Sequence, residues 1–184
     1  MKIFGIDPGS DRTGYGCIES DGSRHHVVLS GAISSTPGAS FPEKLLKIHT
    51  GLAALLAECR PDCVAIENVF FANNARSALK LGHARGVAML AAVEAGLSVA
   101  EYTPAEIKRA VVGYGRAEKH QVQQMMKLVL GLDRIPSPHD AADALAVAIC
   151  HIHSAAPGGV RARLPLPATG KALTSWRQYR PART

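Results

Sequence analysis

The chain has 184 residues, 47% of them hydrophobic, and carries 21 basic against 15 acidic residues for a net charge of +6. That length suits one domain with a core that needs no staples. No apolar run reaches the roughly 18 residues that span a bilayer, which excludes a helical membrane protein. The charge is uneven: residues 155–184 hold Arg161, Arg163, Lys171, Arg177, Arg180 and Arg183 and no acid, so the first 154 residues balance 15 basic against 15 acidic.

In chain order, residues 1–7 and 13–20 read as two strands joined by the turn Asp7-Pro-Gly-Ser-Asp-Arg, and residues 26–34 as a third. Three consecutive short strands predict an antiparallel meander. Leu45, Leu46, Ile48, Leu52, Leu55 and Leu56 recur at helical spacing, predicting an amphipathic helix over 42–59 that Arg60-Pro61 stops. Cys63–Glu67 is a short buried strand. Residues 74–95 form a long Ala- and Leu-rich helix with Gly82 and Gly86 four apart; each glycine costs about 1 kcal/mol against Ala unless close packing needs it.

Residues 99–102 make a fifth strand. Thr103-Pro104 supplies a helix cap with proline at the first helical position, opening a helix to Val112. A further helix covers 118–130. Ser137-Pro138 opens the last one, which ends near His153 and carries Ala141, Ala142, Ala144, Ala146 and Ala148, a thin profile that lets its backbone approach a sheet. Strands in a block of three, followed by alternating helix and strand, imply an α/β fold with a mixed five-stranded sheet flanked by helices. The expected organisation is one domain over 1–154 and a basic, flexible tail over 155–184.

The four cysteines include no CxxC pair, and a cytosolic chain of this size is expected to keep them as reduced, partly buried thiols. The N-terminus lacks a basic leader with a cleavage site, so a cytoplasmic location is expected. Cys150-His-Ile-His153 has a metal-like look, but adjacent helical positions point in different directions, and an ordinary helix end is the better reading.

Four carboxylates carry the chemistry. Asp7 ends the first strand, Glu67 ends the fourth, and Asp140 and Asp143 lie at i and i+3 on one face of the last helix. Each alone has a dull explanation: a turn signal in Asp-Pro-Gly, a strand exit at Glu67, and acids favoured by the dipole at a helix start. Together they do not, because carboxylates at strand ends gather where open α/β sheets bind ligands. Four such groups repel unless a cation neutralises them, and an all-oxygen set suits Mg²⁺ or Mn²⁺. With those acids in an internal site, the outer surface is basic, as a polyanionic substrate requires. The pattern points to metal-dependent phosphoryl transfer or phosphodiester cleavage.

Five motifs, Phe4-Gly-Ile-Asp-Pro-Gly-Ser, Ile66-Glu-Asn-Val-Phe, Ser77-Ala-Leu-Lys-Leu-Gly-His-Ala-Arg-Gly, Val111-Val-Gly-Tyr-Gly-Arg-Ala-Glu-Lys and His139-Asp-Ala-Ala-Asp-Ala-Leu-Ala, resemble the RuvC family of crossover junction endodeoxyribonucleases, in order from residue 1 to about 153. The resemblance implies a ribonuclease H-like fold, a homodimer, and magnesium-dependent resolution of four-way (Holliday) junctions by paired, symmetric nicks. RuvA–RuvB would be the partner machinery. On this resemblance Asp7, Glu67, Asp140 and Asp143 fall on the catalytic, metal-holding carboxylates. Phe70 falls on an aromatic that stacks on bases near the crossover, and Lys108 and Lys119 on positions important for DNA contact or catalysis. Two Mg²⁺ ions about 4 Å apart, replaceable by Mn²⁺, would straddle the scissile phosphate and leave a 5′-phosphate. His83 and Arg76 depart from the family pattern without touching the carboxylates.

Two rival classes stand beside this reading. A sugar or acetate kinase of the actin-like fold shares the strand–acid–Gly opening, but it needs two such domains and a second Gly-rich phosphate loop. A junction-binding protein without chemistry would not be expected to keep all four acids.

Overall fold

The computed structural model describes residues 1–68 and 74–155. The elements are β1 (Lys2–Asp7), β2 (Arg12–Ser20), β3 (His25–Ser34), α1 (Phe41–Cys59), β4 (Cys63–Glu67), α2 (Ala75–Glu94), β5 (Val99–Tyr102), α3 (Pro104–Val112), α4 (Lys119–Val129) and α5 (His139–Ala155). They follow the expected pattern closely. The sheet order is β3-β2-β1-β4-β5, with β1, β2 and β3 antiparallel and β4 and β5 parallel to the chain's first strand and to each other. The fold is the mixed five-stranded α/β sheet that the pattern implied.

Because side chains alternate across a strand, each strand feeds two cores. Phe4 and Ile6 of β1, Cys17 of β2, and Val64 and Ile66 of β4 pack with Ile48, Leu52 and Leu56 of α1 and Ala84, Ala88 and Ala92 of α2. Ile3, Ile18 and Ala65 face the other way, onto α5 and the α3–α4 pair behind it. Asp7 has the parity of Ile3 and Gly5, and Glu67 that of Cys63 and Ala65. Both strand-end acids therefore belong to the α5 side of the sheet.

Helix α5 lies on that face with almost no gap, since Ala141, Ala142, Ala144, Ala146 and Ala148 are all fully buried. The strands answer with glycines, the usual sign of a close backbone approach inside a strand. A Cβ at Gly5 would overlap the Ala144 carbonyl oxygen, one at Gly14 the Asp140 carbonyl oxygen, and one at Gly16 would come within 2.6 Å of Leu145 Cδ2. Gly14→Ala is therefore expected to cost about 1–3 kcal/mol of stability, as overpacking does, by lifting the first turn of α5. Urea denaturation checks it, and an unchanged midpoint would mean that α5 yields without cost.

Three details add to the sequence pattern. Cys17 and Cys59 are brought face to face, with sulfurs 2.50 Å apart and Cα atoms 7.3 Å apart, because β2 and the end of α1 contribute them to the same apolar core. Cys63 and Cys150 are free. Gly82 and Gly86 do not serve packing on their own sheet, since an added Cβ at either meets nothing within 4 Å. Helix α5 runs to Ala155, one residue past the expected domain end; the rest of the expected tail lies outside the described residues.

Candidate active site

Asp7 leaves β1 into a turn that closes on itself. The Thr13 hydroxyl donates to the Gly9 carbonyl at 2.8 Å and accepts from the Gly9 N–H at 3.4 Å, so this fully buried threonine is satisfied locally and holds the loop beside the carboxylate. Glu67 arrives on the neighbouring parallel strand, where Ile6 is registered with Ile66. The next residue is anchored too, its Asn68 N–H donating to the Tyr102 carbonyl at 2.7 Å. The other two acids come from α5, whose first turn is tied to α4 by Gln123 Nε2 and His139 Nδ1 at 2.9 Å. Gln123 is buried and would be costly to leave unpaired there.

The electrostatics show that these groups meet. Burial, first, and then the charges of Glu67, Asp143 and Asp140 push the Asp7 carboxyl up to about 8, and Asp7 shares a hydrogen bond with Glu67. Glu67 is also raised, chiefly by burial, although Lys119 and Lys108 oppose the rise. The two carboxyls therefore hold a proton as a pair, raised together by burial and by the acids around them. Lys119 is raised by its hydrogen bond to Asp143, with the Nζ 2.6 Å from Oδ2. Arg12 Nη1 lies 3.4 Å from Asp140 Oδ2.

The structure thus brings together Asp7, Glu67, Asp140, Asp143, Lys119 and Lys108. A cleft of about 210 Å³ beside them is lined by Glu67, Lys108, Lys119 and Asp143 together with Ile107 and Val122. A larger cavity of about 470 Å³ lies between the ends of α1 and α2, but its lining is mostly alanine and leucine and it is remote from these charges. Phe70 lies outside the described residues. Arg12 is the residue that sequence reading missed; its signal was a cation in the turn just after a strand-end acid.

The donor set is all oxygen and half-buried, which fits a hard divalent cation. Among the described residues no three acids, imidazoles or thiols are drawn close enough to cage an ion as they stand. Repulsion among the carboxylates, and the hold of Lys119 and Arg12 on two of them, account for that open arrangement.

A family model described as Crossover junction endodeoxyribonuclease RuvC matches residues 3–151. A curated protein with that description from Citrifermentans bemidjiense is 58% identical over 155 residues, covering 84% of this chain and 94% of the relative. One from Trichlorobacter lovleyi is 50% identical over 184 residues, covering 98% of this chain and 100% of the relative. The structure of Thermus thermophilus RuvC in complex with Holliday junction substrate aligns with a TM-score of 0.78 at 36% identity, over 82% of this chain and 92% of that one.

Proposed function

We propose, for a chain that belongs to the RuvC family of crossover junction endodeoxyribonucleases, that Asp7, Glu67, Asp140 and Asp143 cut DNA at one edge of its sheet. The protein is an endonuclease that resolves four-way (Holliday) junctions in recombination and repair, and its reaction depends on a divalent metal. The observation that carries the site assignment is the meeting of four carboxylates from two strand ends and one helix on the same face.

The metal is Mg²⁺, with Mn²⁺ as a substitute, held by Asp7 and Glu67 centrally and completed by the Asp140/Asp143 pair. When bound, it supplies acidification of the attacking water and charge neutralisation at the scissile phosphate. The chain's own groups do the rest. Asp7 and Glu67, fixed by paired strands, position the reaction against a rigid sheet edge. Lys108 and Lys119 line the cleft and bring positive charge to the phosphate backbone. Phe70, three residues past Glu67, stacks on a base near the crossover; its support is the family resemblance.

One such site cuts one strand, so symmetric resolution needs a second copy related by a two-fold axis. Helix α2 is the contact: Leu79, Leu90 and Val93 are 65%, 50% and 62% exposed, and the space above Gly82 and Gly86 is open. The location is the cytoplasm, alongside RuvA–RuvB, and no described helix is long and apolar enough to cross a membrane.

A nicking assay tests the reading on a synthetic four-way junction and on a linear duplex of the same sequence. The expected result is metal-dependent nicking, paired across the junction and at least about tenfold weaker on duplex, since duplex cannot present the opened crossover bases to which stacking contributes. Equal cutting of both substrates would make this a general metal nuclease.

A further inference from the structure

The chain's own cations already engage two of the four carboxylates. Lys119 sits on Asp143 at 2.6 Å and Arg12 on Asp140 at 3.4 Å. Arg12 opens β2 and shares the parity of Gly14 and Gly16, so its side chain rises on the α5 face. Gly14, two residues on, is packed against the backbone of Asp140, which fixes how far apart the two side chains start. The neighbouring acid does not compete for Arg12, because Lys44 Nζ holds Asp11 Oδ1 at 2.5 Å.

We propose that Arg12 is a placeholder cation: it occupies Asp140 in the metal-free protein, gives that carboxylate up when a divalent cation enters, and then contacts a DNA phosphate beside the cut. This rests on the metal-nuclease reading of the site. Three features support it. The first is that the surroundings of the Arg12 pair keep it weak: one nitrogen at 3.4 Å, with Arg12 52% and Asp140 28% exposed. A water-exposed pair of that kind is easily displaced, whereas a doubly charged ion attracts the same carboxylate more strongly at equal range.

The second is charge. In the metal-free protein Arg12, Lys119 and Lys108 face four carboxylates, one of them raised to about 8, so the cations are occupied in balancing the acids and little of their charge is left for DNA. Two divalent cations would neutralise all four acids, and Arg12, Lys119 and Lys108 would then be left as net positive charge facing the substrate. The third is chemistry. A guanidinium suits a phosphate through its planar fork of donors, and the long side chain reaches outward from a turn that Thr13 keeps rigid.

Thermal melts of the full-length protein titrated with MnCl₂ alone test the first half, comparing wild type, Arg12→Gln, Arg12→Lys and Asp140→Asn. Arg12→Gln is expected to reach its half-maximal stabilisation at about two- to fivefold lower Mn²⁺ than wild type, the scale of a half-exposed ion pair, with Arg12→Lys near wild type. Junction binding in Ca²⁺ tests the second half. Arg12→Gln is expected to bind more weakly, with the slope of log affinity against log salt shallower by about one, because one fewer phosphate is neutralised. Arg12→Lys keeps the slope. An unchanged or higher Mn²⁺ midpoint in Arg12→Gln overturns the placeholder role, and an unchanged salt slope overturns the hand-over to DNA. Failure of the site reading itself looks different: wild type then gains no stability from Mn²⁺, or Asp140→Asn gains as much.

Discussion

Asp7→Asn is expected to lower junction cleavage by about 10²–10³-fold or more, the scale of removing one preorganised electrostatic group from an active centre, while junction binding stays intact or tightens. The two effects separate because the change removes a metal-holding oxygen and, with it, a negative charge facing the phosphate backbone. Asp7 lies deeper than Glu67 and feels the other three acids, and none of them can take its position without leaving its own element. Asp140→Asn should behave in the same way, with a further consequence: Arg12 then has no carboxylate to hold and is free for DNA. Nicking and gel-shift assays on one synthetic junction decide it. A variant cutting at near the wild-type rate would remove that residue from the site.

Much of this was legible because the chain punctuates itself. Proline, glycine and capping residues stand at nearly every boundary: Pro42 inside the start of α1, Thr103-Pro104 at α3, and left-handed Arg60 and Gly113 at the ends of α1 and α3. Strand-end acids and an i, i+3 helical pair were visible as candidates for the same reason. What the pattern could not supply was register. That Asp7 and Glu67 share a face follows only from the parallel pairing of Ile6 with Ile66. Gly5, Gly14 and Gly16 looked like ordinary strand glycines until α5 was seated on them. Arg12 was hidden similarly, since its partner is 128 residues away. Lys119 has the opposite history: the family resemblance alone singled it out, and its physical reason is the 2.6 Å contact to Asp143. The Cys17–Cys59 contact escaped because residues 42 apart meet only once β2 and α1 share a core.

The same crowding predicts an unusual stability profile. In the metal-free protein the Asp7 carboxyl titrates at about 8 instead of 3.8, mainly through burial and then through its acidic neighbours. Between those values the folded state keeps a proton that the unfolded chain has lost, so stability falls as pH rises, and it levels off above about 8. Glu67, raised as well, acts in the same direction. The lowered acids Asp11, Asp21 and Glu43 act oppositely, but only below their ordinary values of 3.8 to 4.5. His25, depressed by burial and by His153, adds stability as pH rises towards 6.5. The raised Lys119 loses its contribution only above 10.5. From about 6.5 to 8 the carboxylates are therefore the dominant titrating groups, and metal-free wild type is expected to lose on the order of 1–2 kcal/mol there, at about 1.4 kcal/mol per pH unit for one proton. Asp7→Asn removes the Asp7 ionisation and leaves only what Glu67 contributes, so this variant, dead in cleavage, should be the more stable protein at about pH 8 and show a shallower slope across the window. Saturating Mg²⁺ should restore wild type at about pH 8 by binding the folded state alone. Urea denaturation in chelator, at several pH values between about 6.5 and 8, measures it. A flat wild-type profile, or an equal slope in Asp7→Asn, would mean that the four acids relax apart and never share the proton.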